Sequence, residues 1–301
     1  MRQFGADLRR FAARRIVRGA LLLVVAIMAL VVTLATLAGD EVTPQQQAEY
    51  DAQMEAIQNQ APPSTFITED GMVEGGVAYP DPPTDDRIKV VADLPDVLQG
   101  TGIALLFVAF VLGASFIGAE HNVGSLTTQL LYEPRRWRVH AGKAAAVLLG
   151  IFAFVLFSLT FEAAITYFGA TINGVTAGAD GEFWIQRAGQ ALRIAAIVAA
   201  GGAMAYGVTL VLRRTSAGIV AFFLQYPLLF LIDPEGKPLG FLSKYMPLRG
   251  LLVAIVDPAS VSEGGDDLGI RTLAAGVVMT AVWIFVILAA SGRLFSRAEI
   301  R

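Results

Sequence analysis

The chain has 301 residues, 55% hydrophobic and 16% charged, with a mean hydropathy of +0.58. That is too apolar for an ordinary soluble domain and points to an integral membrane protein. The net charge is −3 and cysteine is absent, which excludes disulfides, thiolate metal sites and cysteine nucleophiles.

The chain begins MRQFGADLRRFAARR, with Phe4, Leu8 and Phe11 at i, i+4 and i+7 and Arg9, Arg10, Arg14 and Arg15 largely off that stripe. The spacing predicts an amphipathic helix over 1–15, lying in the membrane interface with its arginines near anionic headgroups. The plainer reading is a basic flank that orients the first span.

A membrane helix needs about 20 mostly apolar residues. Six segments are expected to span: 16–38, 100–118, 144–170, 188–212, 217–232 and 272–291. The expected fold is an all-α integral membrane protein forming one transmembrane domain over 1–301. The first apolar run is about 22 residues long. Signal-peptide cores are shorter, about 7–15 residues, so an uncleaved anchor is expected.

Between the first two spans, 39–99 is acidic and Pro-rich. It holds one candidate helix, in PQQQAEYDAQMEAIQNQAPP, with Tyr50, Met54 and Ile57 on one side. Its apolar content suits a small external cap or loop rather than a large separate core. The short fifth span is followed by Asp233-Pro234 and by 233–271, a second external segment. Within it, Leu248–Val256 is apolar but too short to cross, and reads as re-entrant or interfacial.

Basic residues fix the expected orientation. With both termini on the cytoplasmic side, segments 1–18, 119–143, 213–214 and 293–301 hold 15 of the 23 Lys/Arg and 4 of the 26 Asp/Glu. All four segments agree in sign.

The polar stretch 119–143 interrupts two apolar runs. Read as a helix, Glu120–Tyr132 places Val123, Leu126 and Leu130 on one face, at i, i+3 and i+7. Glu133-Pro134 breaks it, because a residue before proline disfavours the α region. Arg135, Arg136 and Arg138 follow, with Trp137 among them, a residue favoured at membrane interfaces. Two readings stand on the residues alone: a helix docking a soluble partner, or an interfacial helix with topology-setting arginines.

The pattern GAxFxGxE, then G-S/T-L/M-T, then L-x-x-EPRRxRV-x-x-GK is carried here by Gly113, Ala114, Phe116, Gly118, Glu120, by Gly124–Thr127, and by Leu130, Glu133–Arg136, Arg138, Val139 and Lys143. It resembles the membrane (permease) subunits of ATP-binding-cassette transporters, in particular type-2 exporters of the high-GC Gram-positive kind. The motif covers about 30 residues, and the rest of the likeness is architectural. The resemblance implies a plasma-membrane, multi-pass permease in which the segment after the second span is a cytoplasmic coupling helix seated in a separate ATPase. The coupling residues would be Glu120, Val123, Gly124, Leu126, Leu130, Glu133, Pro134, Arg135, Arg136 and Arg138. It also implies a P-loop ATPase, in two copies and carrying ATP and Mg, and a second permease subunit, the same or homologous. The long first external loop departs from the smallest members of that family. Glu120 would sit at the start of the coupling helix, stabilised by its macrodipole.

The chain itself has no G-x-x-x-x-G-K-[ST] and is not expected to be an enzyme or to hold a cofactor. His121 and His140 lack the spacing and carboxylates of a metal site. Membrane lipids are expected partners; nucleic acid is not.

Two features within the spans remain. Glu162 and Arg193 fall at similar depth in antiparallel spans and are expected to form an ion pair. Ala199, Ala203 and Gly207 form a small-xxx-small series that permits close helix approach, within the subunit or across a dimer.

The leading expectation is a permease subunit of an ATP-driven export transporter, handling amphipathic substrates. The alternative is a non-transporting membrane anchor or assembly subunit. An intramembrane enzyme would need a nucleophile–base or metal constellation, and the sequence shows none.

Overall fold

The computed structural model describes residues 2–59, 66–67, 73–74, 83, 85–132, 135–227, 245–256 and 273–297. The described helices are α1 (Arg2–Ala13), α2 (Arg15–Ala38), α3 (Pro44–Asn59), α4 (Val90–Asn122), α5 (Ser125–Tyr132), α6 (Arg136–Asn173), α7 (Gly181–Leu212), α8 (Thr215–Phe223), α9 (Pro247–Ile255) and α10 (Leu273–Arg297). Five of them, α2, α4, α6, α7 and α10, are long and apolar enough to cross a membrane. The expected span 217–232 begins as α8, and its continuation at 228–232 lies outside the described residues.

The long helices overrun the expected spans. The second membrane-length helix, α4, begins at Val90 rather than near residue 100, and α6 has 38 residues. At 1.5 Å per residue that is about 57 Å, against a hydrocarbon core of about 30 Å. Hydropathy marks only the lipid-length part of a helix; the polar continuations are stabilised by packing.

The centre of the bundle is α7. Over its most apolar stretch 83% of residues are buried, against 11% for α2 and α10, which sit at the periphery. The reason is local. Ala199, Ala200, Gly201, Gly202 and Ala203 give α7 almost no side-chain width, so α4 and α6 approach its backbone. At the α4–α7 crossing a Cβ on Gly113 would collide with the Gly202 carbonyl. Gly207 lies against Ile287, Leu288 and Ser291 of α10. The small residues of α7 therefore serve packing within the subunit. The crossing with α4 falls at Gly202, one residue away from the Ala199–Ala203–Gly207 series.

Against α7 and α10 packs α9, a nine-residue helix with Pro at its first turn, where the missing N–H costs nothing. Leu248, Leu251, Val253, Ala254 and Ile255 are fully buried. It corresponds to the apolar stretch too short to span.

At the opposite end from α5, small devices tie the helices together. Asn173 Nδ2 donates to the Thr36 and Gly39 carbonyls at 3.0 and 2.7 Å, capping orphan groups at the end of α2. Ile88–Lys89 pairs in parallel with Gly174–Val175. Arg87 bridges Asp85 at 2.9 Å and Glu41 at 3.3 Å. The expected helix in 39–99 is α3, opened by a capping box: Thr43 N donates to Gln46 Oε1 and Gln46 N to Thr43 Oγ1. Its residues are mostly exposed.

Candidate functional site

The stretch expected to be one helix is two. Helix α4 continues to Asn122, the chain turns at Val123-Gly124 with Gly124 at φ +67°, and α5 starts at Ser125. A positive φ suits glycine, which has no Cβ to clash. The turn resets the helical register, so Val123, Leu126 and Leu130 do not share one exposed face. Leu126 and Leu130 are buried, whereas Val123 and Leu131 are 79% and 80% exposed. The apolar groups that α5 and its turn present outward are thus Val123 and Leu131, with Thr128 also exposed. Arg135 lies just before α6, and Arg136 and Arg138 fall in its first turn. Glu133 and Pro134 lie outside the described residues.

Glu120 is not at a helix start. It lies two residues before the end of α4, where the macrodipole disfavours a carboxylate. Two cations hold it instead. Lys143 Nζ lies 2.7 Å from Glu120 Oε2, and Arg14 Nη2 lies 3.9 Å from Oε1. Lys143 also donates to Asp7 Oδ1 at 3.4 Å. Lys143 and Asp7 are 1% exposed and Glu120 is 6% exposed. Arg10 Nη1, itself exposed, lies 3.6 Å from Asp7 Oδ1, so two carboxylates are faced by Lys143 and Arg14 from within and by Arg10 at the edge, and charges that would be very costly unpaired are compensated.

An aromatic floor supports the cluster. Phe11 of α1 meets Phe116 of α4 at 5.7 Å between centroids, and the Arg14 guanidinium lies 4.6 Å above the Phe116 ring. Phe11 also rests on Gly150 of α6, where any Cβ would crowd its ring. Arg14 Nη1 donates to the Ser115 carbonyl at 2.8 Å. Burial lowers the Arg14 pKa from its ordinary value, opposed by the Glu120 charge. The amphipathic helix expected over 1–15 is present as α1, and its inward face docks on protein through Asp7 and Phe11, with Arg9 and Arg10 exposed. Asp7 was not among the expected site residues. Its signal is that it is the one acid in the basic segment 1–18, four residues before Phe11.

The cluster joins α1, α4 and α6 where the α4–α6 connection leaves the bundle. Nearby, His140 ties α6 to α7 and α10, its Nε2 3.1 Å from the Leu288 carbonyl and its Nδ1 3.2 Å from Tyr206 Oη.

The expected Glu162–Arg193 ion pair does not form among the described residues. Glu162 accepts from Thr101 Oγ1 of α4 at 2.7 Å. Arg193 lines a separate cleft with Pro95, Gln99 and Gln190. Equal depth along antiparallel helices does not fix which way each side chain points around its axis.

These elements define a membrane-embedded, all-α protein whose basic end carries a short helix on a loop closed by a buried ion pair. No protein-family model, no curated protein and no solved structure matches this chain.

Proposed function

We propose that the chain is the permease subunit of an ATP-driven export transporter, and that α5 with its flanking turn is its coupling element. The observation that carries this reading is that α5 and the turn before it expose Leu131 and Val123 on a loop closed by Glu120–Lys143. A docking element needs apolar groups on its outer side and a stiff base behind it. Here the base is a buried, charge-paired cluster continuous with the two longest helices of the bundle. The resemblance of 113–143 to type-2 exporter permeases supports the same reading.

On this reading a separate P-loop ATPase, in two copies, binds ATP and Mg and presses on α5. The push passes through the cluster into α1, α4 and α6. A second permease subunit, the same or homologous, completes a pathway for an amphipathic substrate across the plasma membrane. Both termini and α5 face the cytoplasm, as the basic bias of that end favours. The segment 217–232 supplies a sixth span.

The test is purification of tagged protein in mild detergent with mass spectrometry of co-eluting proteins, beside the variant Val123→Asp/Leu131→Asp. Both substituted residues are exposed, so the variant is expected to fold. A P-loop ATPase recovered with the parent and lost with the variant supports coupling. Its absence from both, at equal expression, replaces this reading with a non-transporting membrane anchor.

A further inference from the structure

A second feature lies on the face of α5 turned away from α1. The inner ends of α4, α5, α7 and α10 enclose a half-open cleft of about 640 Å³. One wall is apolar, built from Leu130, Leu210, Leu294 and Phe295. Its rim is cationic, carrying Arg136, Arg213 and Arg297. Glu120 is the one carboxylate at its edge, and that charge is already matched by Lys143 and Arg14. Arg213 and Arg297 make no ion pair among the described residues.

Apolar side chains and three guanidiniums lining one cleft match a molecule with a hydrocarbon part and an anionic head. Guanidinium forks fit phosphate oxygens, and basic pockets between membrane helices at the positive face suit lipid headgroups. A small free anion would use the rim and leave the apolar wall in water. Access is lateral, because α10, which supplies part of both wall and rim, is one of the two least buried long helices.

We propose that this cleft holds one anionic phospholipid, its phosphate among Arg136, Arg213 and Arg297 and one acyl chain along Leu130, Leu210, Leu294 and Phe295. The site needs only a membrane-embedded chain and does not depend on ATP-driven transport.

The test is native mass spectrometry of protein released from micelles containing equal phosphatidylglycerol and phosphatidylcholine. The parent is expected to retain one phosphatidylglycerol per chain. Arg213→Gln/Arg297→Gln is expected to lower that retention roughly tenfold or more, from two headgroup-proximal charges. The control Arg214→Gln/Arg293→Gln removes the same charge outside the cleft and is expected to retain the lipid. Arg213→Lys/Arg297→Lys keeps the charge without the fork and is expected to restore part of it, which separates binding from misfolding. Equal retention of the two lipids by the parent would overturn the proposal. So would equal loss in the control, or displacement of phosphatidylglycerol by millimolar inorganic phosphate, which would make the cleft a free-anion site.

Discussion

Lys143 Nζ lies 2.7 Å from Glu120 Oε2, closing the base of a 22-residue excursion between two membrane-length helices. Each residue is nearly excluded from solvent, and Asp7 of α1 and Arg14, at the α1–α2 junction, join them. The excursion carries a helix outward, while its two roots are locked to each other and to the amino-terminal helix.

Because Glu120 and Lys143 are buried, removing one of them should cost more than the pair is worth. Lys143→Met leaves Glu120 only Arg14, 3.9 Å away, and Asp7 only the exposed Arg10, 3.6 Å away, and is expected to destabilise by about 3–5 kcal/mol. Glu120→Gln/Lys143→Met should cost less than the sum of its single substitutions, since one orphaned charge goes with the other. Thermal unfolding of the detergent-solubilised protein measures this. Additive losses would show that the residues are not coupled.

The two faces of α5 should respond oppositely to the same change. Leu130→Asp buries a carboxylate beside an apolar wall and is expected to reduce folded yield strongly, in line with core losses of about 2–5 kcal/mol. Leu131→Asp alters an exposed residue and is expected to stay within about 0.5 kcal/mol. Monodispersity and thermal stability by fluorescence-detected size exclusion check both. The reverse order would place the exposed face at Leu130.

The α4–α7 crossing is expected to be intolerant of volume. Gly202→Val would press a branched side chain onto Ile151 and the Ala109 carbonyl, and cost at least the ~1–3 kcal/mol typical of overpacking. Gly142→Ala, with open space around its Cα, should be neutral or slightly stabilising through its helix propensity. Parallel melting curves of the two variants test the contrast.

At the other end, the Arg87 hydrogen bond holds the Asp85 carboxyl down at about 2. A carboxylate of unperturbed pKa ~3.9 that is depressed on folding stabilises fully above ~4 and loses that contribution as pH falls towards 2. Hydrogen exchange of residues 85–93 should therefore be flat from pH 7 to 5, after correction for intrinsic rates, and rise below about 4. The Arg87→Gln variant should lose that step.

The resemblance motif takes on a physical meaning in the fold. Gly113 meets the α7 backbone, Phe116 supports Arg14, Gly118 packs on Thr215 of α8, and Val139 is buried. Most of its described residues face inward. They shape the root of the excursion, and the exposed apolar groups Val123 and Leu131 lie outside the motif.

The all-α membrane class, the amphipathic amino-terminal helix, the helix in the first loop and the clustering of arginines in a few segments were legible in the residues alone. Each rests on local composition and a 3.6-residue period, which do not depend on neighbours. The sequence read the register of 120–132 as continuous, because the reset at Gly124 depends on one backbone angle. It paired Glu162 with Arg193 by depth, whereas only packing sets rotation about a helix axis and turns Glu162 to Thr101. The Asp7–Lys143–Glu120–Arg14 cluster was decided by tertiary structure alone. Asp7 and Arg14 lie more than a hundred residues before Glu120 and Lys143, and a charge reveals its partner only where burial removes water as the alternative.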